Sequence, residues 1–268
     1  MKEQTVQLNS GQRMPLLGLG TYALQGRVAE EAILQAVDLG YRLFDTAQMY
    51  ANEKEVGRAL RACGLPRQDL FVTSKIYRPD LSCARARAAI ERSLDRLQMD
   101  YLDLMLIHEP YAEAEEMYQA LEEAFQAGKI RSIGVSNFSV ARFTKFLSGC
   151  SIVPAVNQVE VHVFYQQGAL HRLLAGQGVH MQAWSPLTAG RAQLAGHEVL
   201  RHIAERHGRT PCQVALRFLV EQGISVIPKA SSRPHLQENL AVLDFSLDDQ
   251  DMASLRALDR GRTLFGWY

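Results

Sequence analysis

The sequence predicts an α/β protein that folds as a (β/α)8 barrel, with an N-terminal β-hairpin before the barrel and an extra helix at the C-terminus. Short apolar runs alternate with amphipathic stretches almost throughout, which favours a parallel sheet with helices outside it. Eight such units in 268 residues favour a closed barrel over an open sheet. Gly18-Leu19-Gly20-Thr21 lacks the third glycine of a GxGxxG turn, which argues against an open dinucleotide-binding sheet.

The eight strand candidates are apolar runs bounded by polar or turn-forming residues. In chain order they cover residues 16–20, 41–45, 71–75, 102–108, 130–136, 155–160, 179–184 and 225–229. Ahead of the barrel, residues 6–16 hold two short apolar runs separated by Asn9-Ser10-Gly11, a pattern typical of a β-hairpin.

The stretches between the strand candidates carry helix signals. After the third candidate, Ile90, Leu94 and Leu97 fall on one helical face. Later, Thr210-Pro211-Cys212-Gln213 predicts a helix that begins with a capping box and has proline at its first position. Gly223 predicts the end of that helix, because glycine readily adopts the left-handed conformation found there.

The composition limits the classes of partner. Lysine plus arginine number 29 and aspartate plus glutamate number 29, so we expect no nucleic-acid partner and no anionic membrane surface. The four cysteines are far apart and form no CxxC pair, which fits a reducing compartment. The sequence has no apolar signal core and no apolar run long enough to span a bilayer, so we expect a cytoplasmic protein. We also expect one domain over residues 1–268.

Polar residues cluster where the strand candidates end, which is where a barrel of this kind carries its chemistry. The residues at these ends are Asp45, Lys75, His108, Ser136, Asn137, Asn157, Gln158, Trp184, Ser185 and Lys229. The first three follow one another at intervals of about one strand–helix unit. We therefore expect an acid, a lysine and a histidine from neighbouring strands on one face.

Tyr50 lies on the loop after the second strand candidate. Tyrosine has a pKa near ~10 in water, and Lys75 beside it would stabilise the phenolate and lower that pKa. Asp45 would keep Lys75 charged and aimed, and His108 would orient a carbonyl oxygen or share its proton. Each residue alone has a purely structural interpretation, such as a turn aspartate or a core histidine. Together at consecutive strand ends, they favour a site that protonates an oxygen as negative charge develops on it.

Several segments, in this order and spacing, resemble the aldo-keto reductase family along nearly the whole chain. They are GLGTY at 18–22, GYRLFDTAQMYANEKEVG at 40–57, TSK at 73–75, LIH at 106–108, IGVSNF at 133–138, PAVNQVE at 154–160, AWSPL at 183–187 and VIPK at 226–229. The chain is similar to the compact bacterial members, such as 2,5-diketo-gluconate and methylglyoxal reductases. The resemblance implies a TIM barrel and an oxidoreductase that reduces aldehydes and ketones to alcohols.

The resemblance also implies roles for individual residues. Asp45, Tyr50, Lys75 and His108 match the family's catalytic tetrad, in which a nicotinamide cofactor would deliver hydride to a carbonyl carbon and Tyr50 would protonate the oxygen. Substrate contacts would come from Tyr22, Tyr50, His108 and Glu109. The implied partners are NADPH and a small carbonyl compound, with no metal, and the compact members suggest a monomer by analogy.

The implied cofactor contacts fall into groups. Ser136, Asn137 and Gln158 would hold the carboxamide, and Trp184 would stack on the nicotinamide ring where a tyrosine is usual. Ser185, Pro186 and Leu187 would line the pyrophosphate loop. Lys229 would face the 2′-phosphate of NADPH. The remaining contacts implied for the cofactor are Gly20, Thr21, Tyr22, Asp45, Ala230, Ser231, Ser232, His235, Glu238 and Asn239.

Four departures from the family pattern carry expectations of their own. Ala230 replaces a common serine and His235 a common arginine, and since histidine is largely neutral near pH 7, we expect a weaker NADPH preference with some NADH use. Glu109 replaces the usual tryptophan, and a carboxylate facing the pocket would disfavour anionic sugar acids. The connection after Pro110 and the tail after Asp259 are short, which predicts an open pocket. The aromatic residues within 264–268 would either pack near its opening or anchor the tail to the surface.

Two other functions fit part of the pattern. A Schiff-base aldolase or lyase on the same barrel would use Lys75 or Lys229 as nucleophile. Asp45 argues against Lys75 in that role, because an acid partner keeps the amine protonated. A regulatory protein that binds the nucleotide without catalysis is the third hypothesis, and the intact set of four residues weighs against it.

Overall fold

Eight parallel strands curl around a common axis in the computed structural model, which describes residues 4–266. The strands are a hairpin pair, β1 (Thr5–Gln7) and β2 (Arg13–Pro15), and then β3 (Gly18–Gly20), β4 (Leu43–Asp45), β5 (Phe71–Ile76), β6 (Leu104–Ile107), β7 (Ile133–Ser136), β8 (Val156–Glu160), β9 (His180–Trp184) and β10 (Ser225–Val226). From β3 to β10 each strand pairs with the next along the chain. A parallel bridge between Leu17 and Val226 closes the ring, so the predicted (β/α)8 barrel is confirmed.

The helices lie between and after these strands. They are α1 (Gly26–Leu39), α2 (Glu53–Ala62), α3 (Cys83–Leu97), α4 (Ala114–Gln126), α5 (Val140–Leu147), α6 (Gly168–Gly176), α7 (Glu198–His207), α8 (Pro211–Glu221), α9 (Arg233–Leu240) and α10 (Asp249–Arg256). The antiparallel hairpin of β1 and β2 and the additional C-terminal helix α10 are both present as predicted.

The local helix signals act as expected. In α8, Thr210 accepts a hydrogen bond from the Gln213 amide, and the Gln213 side chain accepts one from the Thr210 amide, which completes the capping box. The helix ends at Glu221, and Gly223 has φ +73° two residues later. The buried residues of α3 include Ile90, Leu94 and Leu97, the predicted apolar face.

The last strand is shorter than residues 225–229 because a proline interrupts its hydrogen bonding. β10 ends at Val226, and Ile227 still donates its amide to the Ala183 carbonyl at 3.3 Å. Pro228 has no amide hydrogen to continue the ladder. Lys229 therefore lies on the loop beyond the strand rather than at its end.

Two apolar layers hold the barrel together. Side chains such as Phe44 and Val72 point outward into the large core shared with the helices. Their neighbours in sequence, such as Leu43, point inward, because side chains alternate along a strand. The interior cluster is completed by Leu8 and Met14 of the hairpin, which close the barrel at the amino ends of its strands. Within residues 4–266, no helix combines the length and apolar character needed to cross a membrane.

Candidate active site

Side chains along each strand point alternately into and out of the barrel. This alternation places three polar side chains in the barrel interior, at the carboxyl ends of their strands. In β4, Leu43 packs inside and Asp45 lies two residues further on. In β5, Phe71 packs inside and Lys75 lies four residues on, and His108 follows Leu106 in the same way after β6. All three side chains are at least nine-tenths buried. The apolar interior thus supports a polar layer above it.

Asp45 and Lys75 form a buried ion pair. The Lys75 ammonium also donates to the Thr46 carbonyl at 3.0 Å and to the Tyr50 hydroxyl at 3.4 Å. Burial alone would lower the pKa of Lys75, but the Asp45 carboxylate and the contact with Tyr50 outweigh it and leave that pKa raised. Burial raises the pKa of Asp45, and the Lys75 ammonium and the Gln158 amide oppose that shift. Lys75 is therefore held as a cation beneath the tyrosine hydroxyl.

Tyr50 ends a 3₁₀ turn that begins at Gln48. Gln48 anchors the turn by donating its amide to the Ala89 carbonyl and the Ser93 hydroxyl of α3, both at 2.8 Å. Burial raises the pKa of Tyr50, and Lys75 acts against it in the predicted direction without overcoming it. The net shift is thus opposite to the sequence expectation, and it keeps the hydroxyl protonated at neutral pH.

His108 lies edge-on to Tyr50, with 5.7 Å between ring centroids. Burial, and then the positive charge of Lys75, lower the pKa of His108 to about 3, so the imidazole is neutral at physiological pH. Its Nδ1 atom is buried and has no hydrogen-bond partner among the described residues. A neutral ring beside a tyrosine hydroxyl can orient a carbonyl oxygen between them.

A network of amides joins this group to the next three strands. The Gln158 amide donates to Asp45 Oδ2 and to Gln182 Oε1, both at 2.7 Å, and the Ser136 hydroxyl donates to the Gln158 carbonyl at 2.7 Å. Asn137 donates its side-chain amide to the His108 carbonyl at 3.0 Å. The predicted carboxamide-binding residues therefore lie beside the acid–lysine–histidine group.

Trp184 ends β9 and is held at its polar edge. Its indole Nε1 donates to Asn137 Oδ1 at 2.7 Å. In the loop that follows, Ser185 has φ +47°, Pro186 is buried and Leu187 is partly exposed. The indole and this loop therefore occupy one edge of the barrel mouth, and their predicted stacking and pyrophosphate contacts stay predictions.

The segment after β3 contributes both structure and surface. A side chain at Gly20 would place its Cβ 2.6 Å from the Ile227 carbonyl oxygen, so only glycine fits there. Thr21 is buried and donates its hydroxyl to the Asp45 carbonyl at 2.9 Å. Tyr22 is 63% exposed, and its ring lies 5.1 Å from that of Tyr50. Tyr22 is therefore placed to contact a molecule bound over Tyr50.

The first turn of α9 provides donors that fit a phosphate group. Lys229, Ser231 and His235 are exposed around it. Ser232 occupies the N-cap position without using its side chain as a cap. An ammonium, two hydroxyls and the amide groups of a helix N-terminus form a donor set suited to an anion. The residues present therefore fit the 2′-phosphate of a dinucleotide.

The other residues predicted to contact the adenine end are more enclosed. Ala230 and Asn239 are buried. Glu238 accepts a hydrogen bond from the Thr210 hydroxyl at 2.6 Å, which ties α9 to the start of α8. The structure thus gives Glu238 a contact within the protein, and its predicted contact with adenine stays a prediction.

Glu109 is half-buried and lies beside Tyr111 rather than in open solvent. Burial raises the pKa of Tyr111, and the negative charge of Glu109 raises it further. The Arg78 guanidinium lies 5.7 Å from the same ring. The loop after β5 therefore brings the Arg78 guanidinium close to Tyr111, and the loop after β6 brings the Glu109 carboxylate close to it.

The sequence interpretation missed two inward-facing residues at this end. Gln182 accepts from Gln158, and Glu160 at the end of β8 is fully buried and binds the C-terminal segment. Their place near the carboxyl ends of barrel strands was the available signal. Of the predicted aromatic tail, Phe265 packs against Trp184 with 5.0 Å between centroids, whereas Trp267 and Tyr268 lie outside the described residues.

Comparisons with known proteins identify relatives over nearly the full length. The sequence model described as "Aldo/keto reductase family" matches residues 16–260. The glyoxal reductase of Bacillus subtilis is 42% identical over 260 residues, which cover 96% of this chain and 94% of that protein. A methylglyoxal reductase of Salmonella typhimurium is 37% identical over 265 residues, or 97% and 94% of the two chains. An aldo-keto reductase from a Medee basin deep-sea metagenome has a crystal structure with a TM-score of 0.94 at 38% identity, covering 96% of each chain.

Proposed function

The chain belongs to the aldo/keto reductase family, and from that premise we propose that it reduces small aldehydes and ketones to alcohols with NADPH, using Tyr50 as the proton donor. The observation that carries the proposal is the contact of the Lys75 ammonium with both the Asp45 carboxylate and the Tyr50 hydroxyl inside the barrel. Such an arrangement stabilises a phenolate after proton transfer without deprotonating the tyrosine beforehand.

The residues divide the work of carbonyl reduction. When bound, the reduced nicotinamide supplies a hydride to the carbonyl carbon. The neutral His108 imidazole and the Tyr50 hydroxyl orient the carbonyl oxygen, and Tyr50 transfers its proton to that oxygen as negative charge develops there. Lys75 then stabilises the resulting phenolate, and Asp45 keeps Lys75 charged and in place. Tyr50, whose side chain is partly exposed, regains a proton from solvent.

The substrate class that the site supports best is a small, uncharged carbonyl compound. Relatives named glyoxal reductase and methylglyoxal reductase align over nearly the whole chain. Glu109 adds a carboxylate beside the mouth, which disfavours anionic substrates by like-charge repulsion. We extend the proposal to α-dicarbonyl compounds such as glyoxal and methylglyoxal.

The cofactor proposal includes a reduced preference for NADPH over NADH. The exposed Lys229 and the two serines that directly precede α9 provide the phosphate contacts. His235 is also exposed there, where an arginine would provide a permanent, bidentate charge. We expect NADPH to bind more tightly than NADH by a smaller factor than in a protein with that arginine.

The test of this function is the consumption of NADPH with a panel of carbonyl compounds that includes glyoxal, methylglyoxal, a longer neutral aldehyde and an anionic keto sugar acid. We expect loss of NADPH absorbance matched by formation of the alcohol, with the neutral dicarbonyls reduced fastest. No NADPH oxidation with any member of the panel would overturn the proposal.

A Schiff-base enzyme is the alternative, and the geometry weighs against it. Lys75 is fully buried in an ion pair that raises its pKa, which removes the lone pair that a nucleophile needs. Lys229 is exposed on a loop beyond β10. Borohydride trapping with the carbonyl substrate would distinguish the two, because only the Schiff-base enzyme would gain a covalent adduct on lysine.

A further inference from the structure

The last described residues of the chain return to the barrel mouth and contact the proposed cofactor site. We call residues 263–265 the tail segment. It follows α10, and on the way the Arg260 amide donates to the Phe164 carbonyl at 2.9 Å. The tail segment then reaches Glu160 of β8 and Trp184 of β9, two neighbouring strands of the barrel.

Glu160 anchors the tail segment. Its carboxylate is fully buried, accepts the Leu264 amide at 2.7 Å and accepts the Thr263 hydroxyl, and His162 Nε2 lies 3.1 Å from it. Thr263 Oγ1 in turn accepts the amides of the two residues after Leu264, both at 3.0 Å. Although burial acts to raise the pKa of Glu160, these hydrogen bonds outweigh it and lower that pKa. The anchor is therefore a charged acceptor at neutral pH.

Phe265 connects the tail segment to the Trp184 indole by direct contact. Its ring meets Trp184 edge to face, at 5.0 Å and an interplanar angle of 72°. Arg191, in the loop after β9, lies 4.4 Å from the Phe265 ring and donates to the Leu264 carbonyl at 3.1 Å. Trp184 is thus held by a hydrogen bond to Asn137 and by packing against Phe265.

We propose that Glu160 and Phe265 are positioning residues of the reductase site: Glu160 holds the tail segment on β8, and Phe265 thereby holds the Trp184 indole in the orientation that receives the nicotinamide ring. The consequence for catalysis rests on the proposed function, whereas the anchoring of Trp184 does not. An indole free to tilt would leave the reacting ring poorly oriented, and misplacement of about 1 Å can reduce rates by up to about a hundredfold.

The test uses the two tryptophans of the chain, Trp184 and Trp267. In a Trp267→Phe background, which serves as the reference for every variant, all tryptophan emission comes from Trp184. The variants are Phe265→Leu, which removes the aromatic edge, and Thr263→Val, which removes the hydroxyl held by Glu160. Arg262→Ala is the matched control, because Arg262 is exposed and directly precedes the tail segment.

Without cofactor or substrate, we expect Phe265→Leu and Thr263→Val to lower the fluorescence anisotropy of Trp184 and to increase its quenching by acrylamide, with Arg262→Ala equal to the reference. In turnover, we expect kcat to fall about tenfold and KM for the carbonyl substrate to change less, because orientation affects the reacting state most. Anisotropy, quenching and kcat of both tail variants at reference values would overturn the proposal.

Glu160 is tested through a double-mutant cycle with Thr263. Because Glu160→Gln and Thr263→Val disturb the same anchor, the double variant should lose no more kcat than the worse single variant. Additive losses would show that Glu160 acts by another route and would overturn its positioning role. If the reference protein oxidises no NADPH, the proposed function fails, and the ligand-free fluorescence still decides whether the tail segment holds Trp184.

Discussion

Burial is the largest cause of the pKa shifts of Tyr50 and His108, two members of the proposed catalytic group. Lys75 pulls the pKa of Tyr50 downward, yet burial leaves it raised, and burial also keeps His108 neutral. Reduction needs a tyrosine that still has its proton and a histidine that carries no competing charge beside Lys75. Both conditions follow from the burial of these side chains above the barrel core.

The lowered pKa of His108 predicts the pH profile of reduction. A pKa of about 3 means that the imidazole gains a proton only far below neutrality. His108 therefore stays neutral between about pH 5.5 and 8.5, a range that includes the ordinary histidine pKa of about 6.5. We expect no inflection from His108 in kcat/KM across that range. An NMR titration of the imidazole protons, with His108→Asn identifying the resonance, checks the state directly. A His108 titration near pH 6.5 would contradict this account.

Glu109 predicts a specific discrimination against anions. Its half-buried carboxylate lies beside Tyr111, so Glu109→Trp should raise the rate on a keto-gluconate substrate relative to a neutral aldehyde. We expect a change of about threefold to tenfold in the ratio of kcat/KM values, the size of a single screened like-charge contact. Glu109→Gln removes the charge at constant size and should have a similar effect. An unchanged ratio in both variants would rule out the charge as the cause.

For individual residues, the sequence predicts the candidate catalytic side chains better than it predicts which other residues contact them. Asp45, Lys75 and His108 are identifiable because each ends a strand, and the alternation of side chains then sends them inward. The net pKa shift of Tyr50 depends on burial depth, which only the folded chain defines. The contact between Glu160 and Thr263 joins residues about a hundred positions apart, so no local sequence pattern predicts it.

At the scale of the elements, close packing of helices depends on small residues in particular places. Gly57 in α2 faces the end of α3, and a Cβ there would lie 2.3 Å from the Leu97 carbonyl oxygen. Gly176 at the end of α6 has open space around the same position. Gly57 and Gly176 both lie within helices but differ in the space around them, so the same substitution by alanine can be compared at the two positions.

Gly57→Ala should destabilise the protein by about 1–3 kcal/mol, because the added methyl forces α2 away from α3. Gly176→Ala should be neutral or more stable by up to about 1 kcal/mol, since alanine is the better helix former. Urea unfolding of the two variants and the native protein measures the difference. Equal stability of Gly57→Ala and the native chain would mean that the two helices separate at no cost.

The element boundaries show where sequence reasoning has limited reach. All eight strand candidates form strands, because apolar runs of that length must be buried between helices and the barrel interior. β6 and β7 begin later than predicted, and only an isolated bridge joins Leu102 to Ile130 where regular pairing was expected. Ladder ends depend on how neighbouring strands diverge, which is a property of the assembled sheet.

At the scale of the whole molecule, closing the ring gathers one site from all parts of the chain. β4, β5 and β6 supply the proposed catalytic group, β7 to β9 supply the amide network and the indole, and the loop after β10 supplies the phosphate donors. A dinucleotide that contacts these parts binds only the folded barrel. It should therefore stabilise the protein against unfolding by mass action.

The cofactor preference can be measured through that stabilisation. We expect NADPH to raise the Tm more than NADH does at equal concentration. His235→Arg should bind NADPH about tenfold more tightly through a charge-assisted hydrogen bond, and should therefore increase the difference between the two Tm shifts. Gln237→Arg is the control, because it adds the same charge to an exposed position of α9 about 200° around the helix. If His235→Arg leaves the difference between the NADPH and NADH Tm shifts unchanged, His235 is excluded from the phosphate site.

Tyr50→Phe removes only the hydroxyl that we propose as the proton donor in carbonyl reduction, so it isolates that role. The measurement is NADPH oxidation with methylglyoxal, alongside NADPH binding followed by tryptophan fluorescence. Tyr101→Phe, which makes the same change at the amino end of the barrel, is the control. We expect Tyr50→Phe to bind NADPH as the native protein does and to lose at least about a hundredfold in kcat. Native binding with near-native turnover would exclude Tyr50 as the proton donor.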